Sequence, residues 1–312
     1  MSKLKQLLSL AELSPAALSD LLNLALDVKQ HPEKYTQALA GKSIALIFEK
    51  PSLRTRVSFD VGIYKLGGHS VYLDQQNGAM GKRETVADFG RNLACWTDAI
   101  VARVFSQQTL EQLAQASHKP VINALSDLYH PCQALADLLA LKEQFNELNQ
   151  VHLAYVGDGN NVCHSLMIGA ALSGMRMTVV TPQGFSPDAQ VLLQVQKIAA
   201  TTGAVLELSP HLSAAAGADA IYTDTWLSMG DKADPAEIER IFKPYQINTA
   251  VMQRLAVKFF MHCLPAHREH EVTSEVLDSD ASLVLLQAEN RMHAQKAVMV
   301  MLANSAGAGI VV

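Results

Sequence analysis

The feature that most constrains this chain is an alternation, run through twice, of short apolar stretches with longer segments of helical periodicity. In the first half the apolar stretches are residues 43–48, 69–73, 99–104 and 121–125, with helical patterning over 85–96 and 109–116 between them. Apolar runs of this length bounded by turn residues read as strands covered on both faces, and strands that alternate with helices build a parallel sheet. A helical stretch at 133–145 ends in the polar segment 146–150, and the pattern then restarts. Strands are expected at 152–156, 177–181, 205–208, 220–224 and 258–262, and helices at 162–173 and 189–201. The expected fold class is α/β, with two doubly wound parallel-sheet domains at 1–147 and 148–312. A last helix, about 289–303, follows the final strand and is free to pack back on the first domain. The 312 residues are enough for two separate cores.

Charge narrows the function classes. The net charge is −5, from 25 basic and 30 acidic side chains, and no Lys/Arg run occurs, so neither a nucleic acid nor a membrane partner is expected. Any anion must be held locally. The first 22 residues are interrupted by charges and by Pro15, which leaves no signal-peptide core and no membrane span. A cytoplasmic protein is expected, and the four cysteines, with no CxxC pair, should be reduced thiols.

Residues suited to chemistry gather where strands end. After the first strand comes Phe48-Glu49-Lys50-Pro51-Ser52-Leu53-Arg54-Thr55-Arg56, followed by a helix-patterned run with Val57, Phe59, Val61 and Tyr64. A strand-to-helix turn presents free N–H groups and the positive end of the helix dipole, and here it adds hydroxyls and guanidiniums, a combination suited to phosphate. Arg103 ends another strand of the same half. His130 and Gln133 follow the strand at 121–125, and a helix starting at Pro131 would point both at one ligand. Each of these could be a structural cap or a solvated charge, but their recurrence at three strand ends favours a site.

In the second half, Val156-Gly157-Asp158-Gly159-Asn160-Asn161 opens like a dinucleotide fingerprint, but Val162 stands where the third glycine belongs and no ribose-binding acid ends the next strand. Asp224, at the end of the 220–224 strand beside Ser228-Met229-Gly230, can receive an ammonium group or be a solvated loop acid. The run from Met261 to Glu271 holds one Cys and three His, yet Pro265 interrupts any helix that would align them and no HExxH occurs, so no metal is expected. Cys263 reads as an inert core thiol or a ligand-facing one.

Taken together and in order, Phe48–Arg56, His130–Gln133, Asp224 with Ser228-Met229-Gly230, His262-Cys263-Leu264-Pro265 and Ala288-Glu289-Asn290-Arg291 resemble the motifs of the aspartate/ornithine carbamoyltransferase family. The Ser-Met-Gly loop and the His-Cys-Leu-Pro segment resemble its ornithine branch. The resemblance implies two α/β domains joined by interdomain helices, a homotrimeric catalytic unit, and no cofactor. It implies transfer of the carbamoyl group of carbamoyl phosphate to the δ-amine of L-ornithine, giving L-citrulline and phosphate. A modified ornithine or a diamine as acceptor, or a non-catalytic carbamoyl-phosphate-binding homologue, are the alternatives.

By matching position, carbamoyl phosphate would meet Ser52, Leu53 through its backbone, Arg54, Thr55, Arg103, His130, Gln133, Cys263, Leu264 and Arg291. Ornithine would meet Asn161, Asp224, Ser228 and Met229. The catalytic set would be Arg54, Arg103, His130 and Cys263. Two departures stand out: Leu53 replaces a hydroxyl residue in the phosphate turn, and Ala79 replaces a Gln that in the family reaches a neighbouring subunit's site.

Overall fold

The computed structural model describes residues 3–74, 80–81, 83–227 and 233–305. Ala79, Ser228 and Met229 therefore lie outside the described residues. The chain divides into two compact units, Met1–Leu139 with Asn290–Val312, and Ala140–Glu289. The sequence pattern puts the junction in the polar segment 146–150, whereas this division runs through two helices, Pro131–Phe145 and Val284–Ser305, each of which supplies residues to both units.

In the first unit, helix α1 (Pro15–Gln30) begins where Ser14 accepts the Ala17 N–H and Pro15 fills the first helical turn. Then follow β1 (Ser43–Phe48), α2 (Leu53–Lys65), β2 (His69–Leu73), α3 (Val86–Trp96), β3 (Ala99–Arg103), α4 (Gln107–Ser117), β4 (Val121–Leu125) and α5 (Pro131–Phe145). The four strands are all parallel, in the order β2-β1-β3-β4. Strands β1 and β3 are buried nearly throughout, as their unbroken apolar sequences require, and the outer strand β2 is half-exposed. Ala45, Ile47, Ile100, Ala102, Leu110 and Leu113 form part of the core.

The second unit runs β5 (His152–Val156), α6 (Asn161–Leu172), β6 (Arg176–Val180), α7 (Ala189–Thr202), β7 (Val205–Ser209), β8 (Ala220–Thr223), α8 (Pro235–Phe242), α9 (Thr249–Leu255), β9 (Phe259–His262) and α10 (Ser274–Leu277). Its five parallel strands lie in the order β7-β6-β5-β8-β9. Helix α6 is buried on every side from Val162 to Leu172, consistent with its nearly continuous apolar sequence. Helix α11 (Val284–Ser305) closes the described chain.

Both strand orders reverse direction once, between β1 and β3 in the first unit and between β5 and β8 in the second. Such switch points open a crevice at the carboxyl ends of the strands that flank them. The residues found there are those after Phe48, Arg103, Val156 and Thr223.

Four local readings need correction. The run Ser52–Arg56 is not a loop ahead of a helix: Leu53, Arg54 and Thr55 are its first turn, with Ser52 as the cap. The buried face of α2 is Thr55, Phe59, Gly62 and Ile63, so Val57 and Tyr64, apolar on paper, face outward. The last helix starts at Val284, five residues before the apolar pattern suggests. Helix α8 was missed although Asp234 caps it and Pro235 opens it, the same signature that marks α1.

Gly159 shows what the glycine-rich turn after β5 is for. A Cβ built there would lie 2.3 Å from the Pro187 nitrogen and 2.6 Å from the Ser186 carbonyl carbon. The missing side chain makes room for this chain's own loop. Gly159→Ala should therefore cost about 1–3 kcal/mol through overpacking, read as a lowered Tm; an unchanged Tm would show that the loop yields freely.

Candidate active site

The first switch point carries the candidate anion site. Ser52 caps α2, its Oγ accepting the Thr55 N–H at 3.3 Å, which leaves the Leu53 and Arg54 N–H groups without acceptors inside the helix. Leu53 can serve through that N–H alone, since its side chain is 75% exposed. Arg54 is half-buried, while Arg56 is exposed and lies over the Tyr72 ring, 3.8 Å from its centroid. The two guanidiniums of the motif thus separate into one at the helix start and one stacked on a strand. Glu49 ties this turn to the end of β3: its N–H donates to the Arg103 carbonyl at 2.8 Å and its carboxylate accepts the Phe105 N–H at 2.8 Å.

Behind the turn lies a buried polar cluster built on Arg291 from α11. Its Nη1 donates to Gln133 Oε1 at 2.8 Å, and its Nη2 donates to Thr55 Oγ1 at 2.8 Å and to His130 Nε2 at 2.9 Å. Ser52 also donates to Thr55 Oγ1, at 3.0 Å, so the Thr55 hydroxyl accepts twice and keeps its own proton for a further acceptor. Gln133 Nε2 donates to Asp137 Oδ1 at 2.7 Å, which fixes the amide's orientation. Thr55, Arg103, His130, Gln133, Asp137 and Arg291 are all buried. Burying guanidiniums is costly without charge-assisted hydrogen bonds, and the arrangement suits an arriving dianion.

Because Arg291 donates to Nε2, the His130 proton sits on Nδ1. Burial, then the Arg291 and Arg103 guanidiniums, hold its pKa well below the usual imidazole value. The structure makes His130 a neutral imidazole.

The second switch point carries a carboxylate. Asp224, just past β8, is buried; its Oδ2 accepts from the Asn160 side-chain amide at 2.9 Å, and its Oδ1 accepts the Thr225 N–H at 2.7 Å and the Cys263 thiol at 2.9 Å. Cys263 is thus a half-buried thiol bonded to a carboxylate, in contrast with the fully buried Cys132 and Cys163, whose thiols burial pushes upward in pKa. Asn160 was overlooked: its Oδ1 caps α6 through the Val162 and Cys163 N–H groups while its amide holds Asp224. Its place just before a strand-to-helix start was the available signal. Asn161 occupies the first turn of α6 and is half-exposed.

Asp224, His262 and Cys263 bring a carboxylate, an imidazole and a thiol within 4.8 Å of one another. His262, however, has both ring nitrogens committed. Nδ1 accepts the Leu264 N–H at 2.8 Å, and Nε2 donates to Glu271 Oε1 at 3.1 Å. The ring has no lone pair to give a cation. The same bond uses the Leu264 N–H, so that residue can meet a ligand only through its carbonyl or side chain.

Fold and site define a two-unit α/β protein with a buried guanidinium cluster beside a helix start in one unit and a carboxylate-centred polar cluster in the other. Residues 5–143 match the family model for the aspartate/ornithine carbamoyltransferase carbamoyl-P binding domain, and residues 149–302 match that for the Asp/Orn binding domain. The chain belongs to the aspartate/ornithine carbamoyltransferase family. It is 59% identical over 299 residues to an ornithine carbamoyltransferase of Shewanella oneidensis, covering 96% of this chain and 99% of the relative. An ornithine carbamoyltransferase of a Vibrio species is 54% identical with the same coverage. The solved ornithine carbamoyltransferase from Pyrococcus furiosus superposes with a TM-score of 0.91 at 45% identity, covering 96% of this chain and 97% of that one.

The depressed His130 pKa has a consequence for stability. The unfolded chain takes up the proton first, so this residue's contribution is fully present above an unfolded value near ~6.5 and is lost as pH falls toward the lower folded one. Between pH 7 and 5.5 the Tm should fall, and His130→Gln should flatten part of that slope. His152, whose pKa burial also lowers, retains the rest. An identical slope in the variant would contradict the neutral assignment.

Proposed function

We propose that the protein transfers the carbamoyl group of carbamoyl phosphate to the δ-amine of L-ornithine, giving L-citrulline and phosphate. The observation that carries this reading is the Arg291 cluster behind the Ser52-capped start of α2. The N–H groups of Leu53 and Arg54, the Arg54 and Arg103 side chains and the Thr55 hydroxyl take the phosphate, and Ser52 joins them by turning its hydroxyl proton from Thr55 to the ligand. His130, through Nδ1–H, takes the carbamoyl oxygen, with Gln133 and Arg291 holding it in place; Cys263 and the Leu264 backbone are further carbamoyl phosphate residues in this reading.

In this reading Asp224 takes the α-ammonium of ornithine and Asn161 its α-carboxylate, with Ser228 and Met229 as further ornithine residues. Attack by the neutral amine places negative charge first on the carbonyl oxygen and then on the departing phosphate. A neutral His130 polarised by Arg291 meets the first, and the guanidiniums meet the second. Holding the two substrates in register removes an entropic barrier worth about 7–11 kcal/mol. No step requires a metal or an organic cofactor.

The chain is further proposed to act as a homotrimer in the cytoplasm. The exposed apolar side chains Leu53, Val57 and Tyr64 of α2 support assembly, and four free cysteines suit a reducing compartment. Among the described residues no helix is long and apolar enough to cross a membrane.

Citrulline formation from carbamoyl phosphate and ornithine by the purified protein tests the proposal, and its absence would end it. Arg54→Ala should lower kcat/KM at least a hundredfold, about 3 kcal/mol for a lost transition-state donor. Asp224→Asn should raise the ornithine KM while leaving carbamoyl phosphate affinity close to wild type. The opposite pattern would mean that the two substrate sites have been assigned the wrong way round.

A further inference from the structure

The segment after β9 contains a buried carboxylate that the proposed reaction does not use. Glu271 is almost fully buried, and one of its oxygens, Oε1, accepts both the His262 Nε2–H at 3.1 Å and the backbone N–H of His267 at 2.6 Å. The other face of the same imidazole, Nδ1, accepts the Leu264 N–H at 2.8 Å. A continuous path of hydrogen bonds thus runs from carboxylate to imidazole to backbone amide. Its far end is Leu264, which adopts a left-handed backbone with φ of 56°. A branched residue held there needs an external restraint, and the His262 bond supplies one.

Cys263 lies between the two residues that this path fixes. Its thiol donates to Asp224 Oδ1, and the backbone N–H of the preceding His262 donates to Gln287 Oε1 at 3.0 Å. We propose that Glu271 is a positioning residue: it holds His262 protonated on Nε2, so that Nδ1 pins Leu264 and thereby aims the Cys263 thiol at Asp224. The proposal rests on the carbamoyl-transfer reading for its kinetic effect but not for its geometry. Both hydrogen bonds to Glu271 use a single acceptor oxygen, so a glutamine can reproduce them and an alanine cannot.

Three readouts test it. In the wild-type protein, imidazole nitrogen-15 resonances, assigned to His262 by their loss in His262→Asn, should show the Nε2–H tautomer; an Nδ1–H tautomer overturns the proposal whether or not any variant folds. On a Cys95→Ser background, which removes the exposed thiol, Glu271→Ala should raise the rate of Cys263 alkylation by iodoacetamide at least fivefold, and Glu271→Gln should stay within twofold. In the citrulline assay Glu271→Ala should lower kcat at least tenfold with inorganic phosphate affinity unchanged, and Glu271→Gln should restore most of the turnover. A folded Glu271→Ala protein with wild-type alkylation, or a glutamine variant as impaired as the alanine one, would overturn it. Failure of the wild-type protein to make citrulline would instead count against the functional reading, leaving the tautomer and thiol results to judge Glu271.

Discussion

The interaction on which the site depends is the buried guanidinium of Arg291. It reaches three groups, Thr55 on α2, His130 before α5 and Gln133 on α5, with hydrogen bonds between 2.8 and 2.9 Å. Each bond has a chemical consequence. Thr55 accepts twice at its hydroxyl and keeps its own proton for a further acceptor, Gln133 is fixed between Arg291 and Asp137, and His130 is held neutral with its proton on Nδ1. A lysine could not bridge three acceptors in this way, because its ammonium lacks the planar fork. The cost of burying the charge is offset by these bonds, and an incoming dianion adds the strongest partner of all.

The two units solve their binding problems with one construction. Each sheet reverses its strand order once, and at that point a helix begins with a side-chain cap directly after the first central strand, Ser52 on α2 and Asn160 on α6. The strand across the switch supplies the charged residue, Arg103 in one unit and Asp224 in the other. The sign of that charge decides what each crevice can hold. A cation beside a helix start favours an anion, and a carboxylate with three donors already in place retains lone pairs for an ammonium.

Much of this could be read from the sequence, for identifiable reasons. Strands β1, β3, β5 and β8 are buried on both faces and leave unbroken apolar runs, so their positions and the residues at their ends were legible. Ser52 and Arg54 were found because capping and phosphate chemistry leave a local signature. Arg291 was reached only by resemblance: it lies more than 150 residues from its partners, and no periodicity reports a contact made across that distance. Asn160 and Glu271 were missed because they act through other side chains. Gly159 suggested a nucleotide, yet its role is to let the loop at 185–187 approach. The apolar pattern of α2 misled because Val57 and Tyr64 are apolar on an exposed face.

The most direct measurement is a crystal structure of the protein with a stable phosphonate analogue of carbamoyl phosphate. The account predicts the phosphonate at the N-terminus of α2, bonded to the Leu53 and Arg54 N–H groups and to Arg54 and Arg103, with the analogue's carbonyl oxygen facing His130 Nδ1. A phosphonate bound elsewhere, or one seated at α2 while Arg291 has released Thr55, Gln133 and His130, would contradict it.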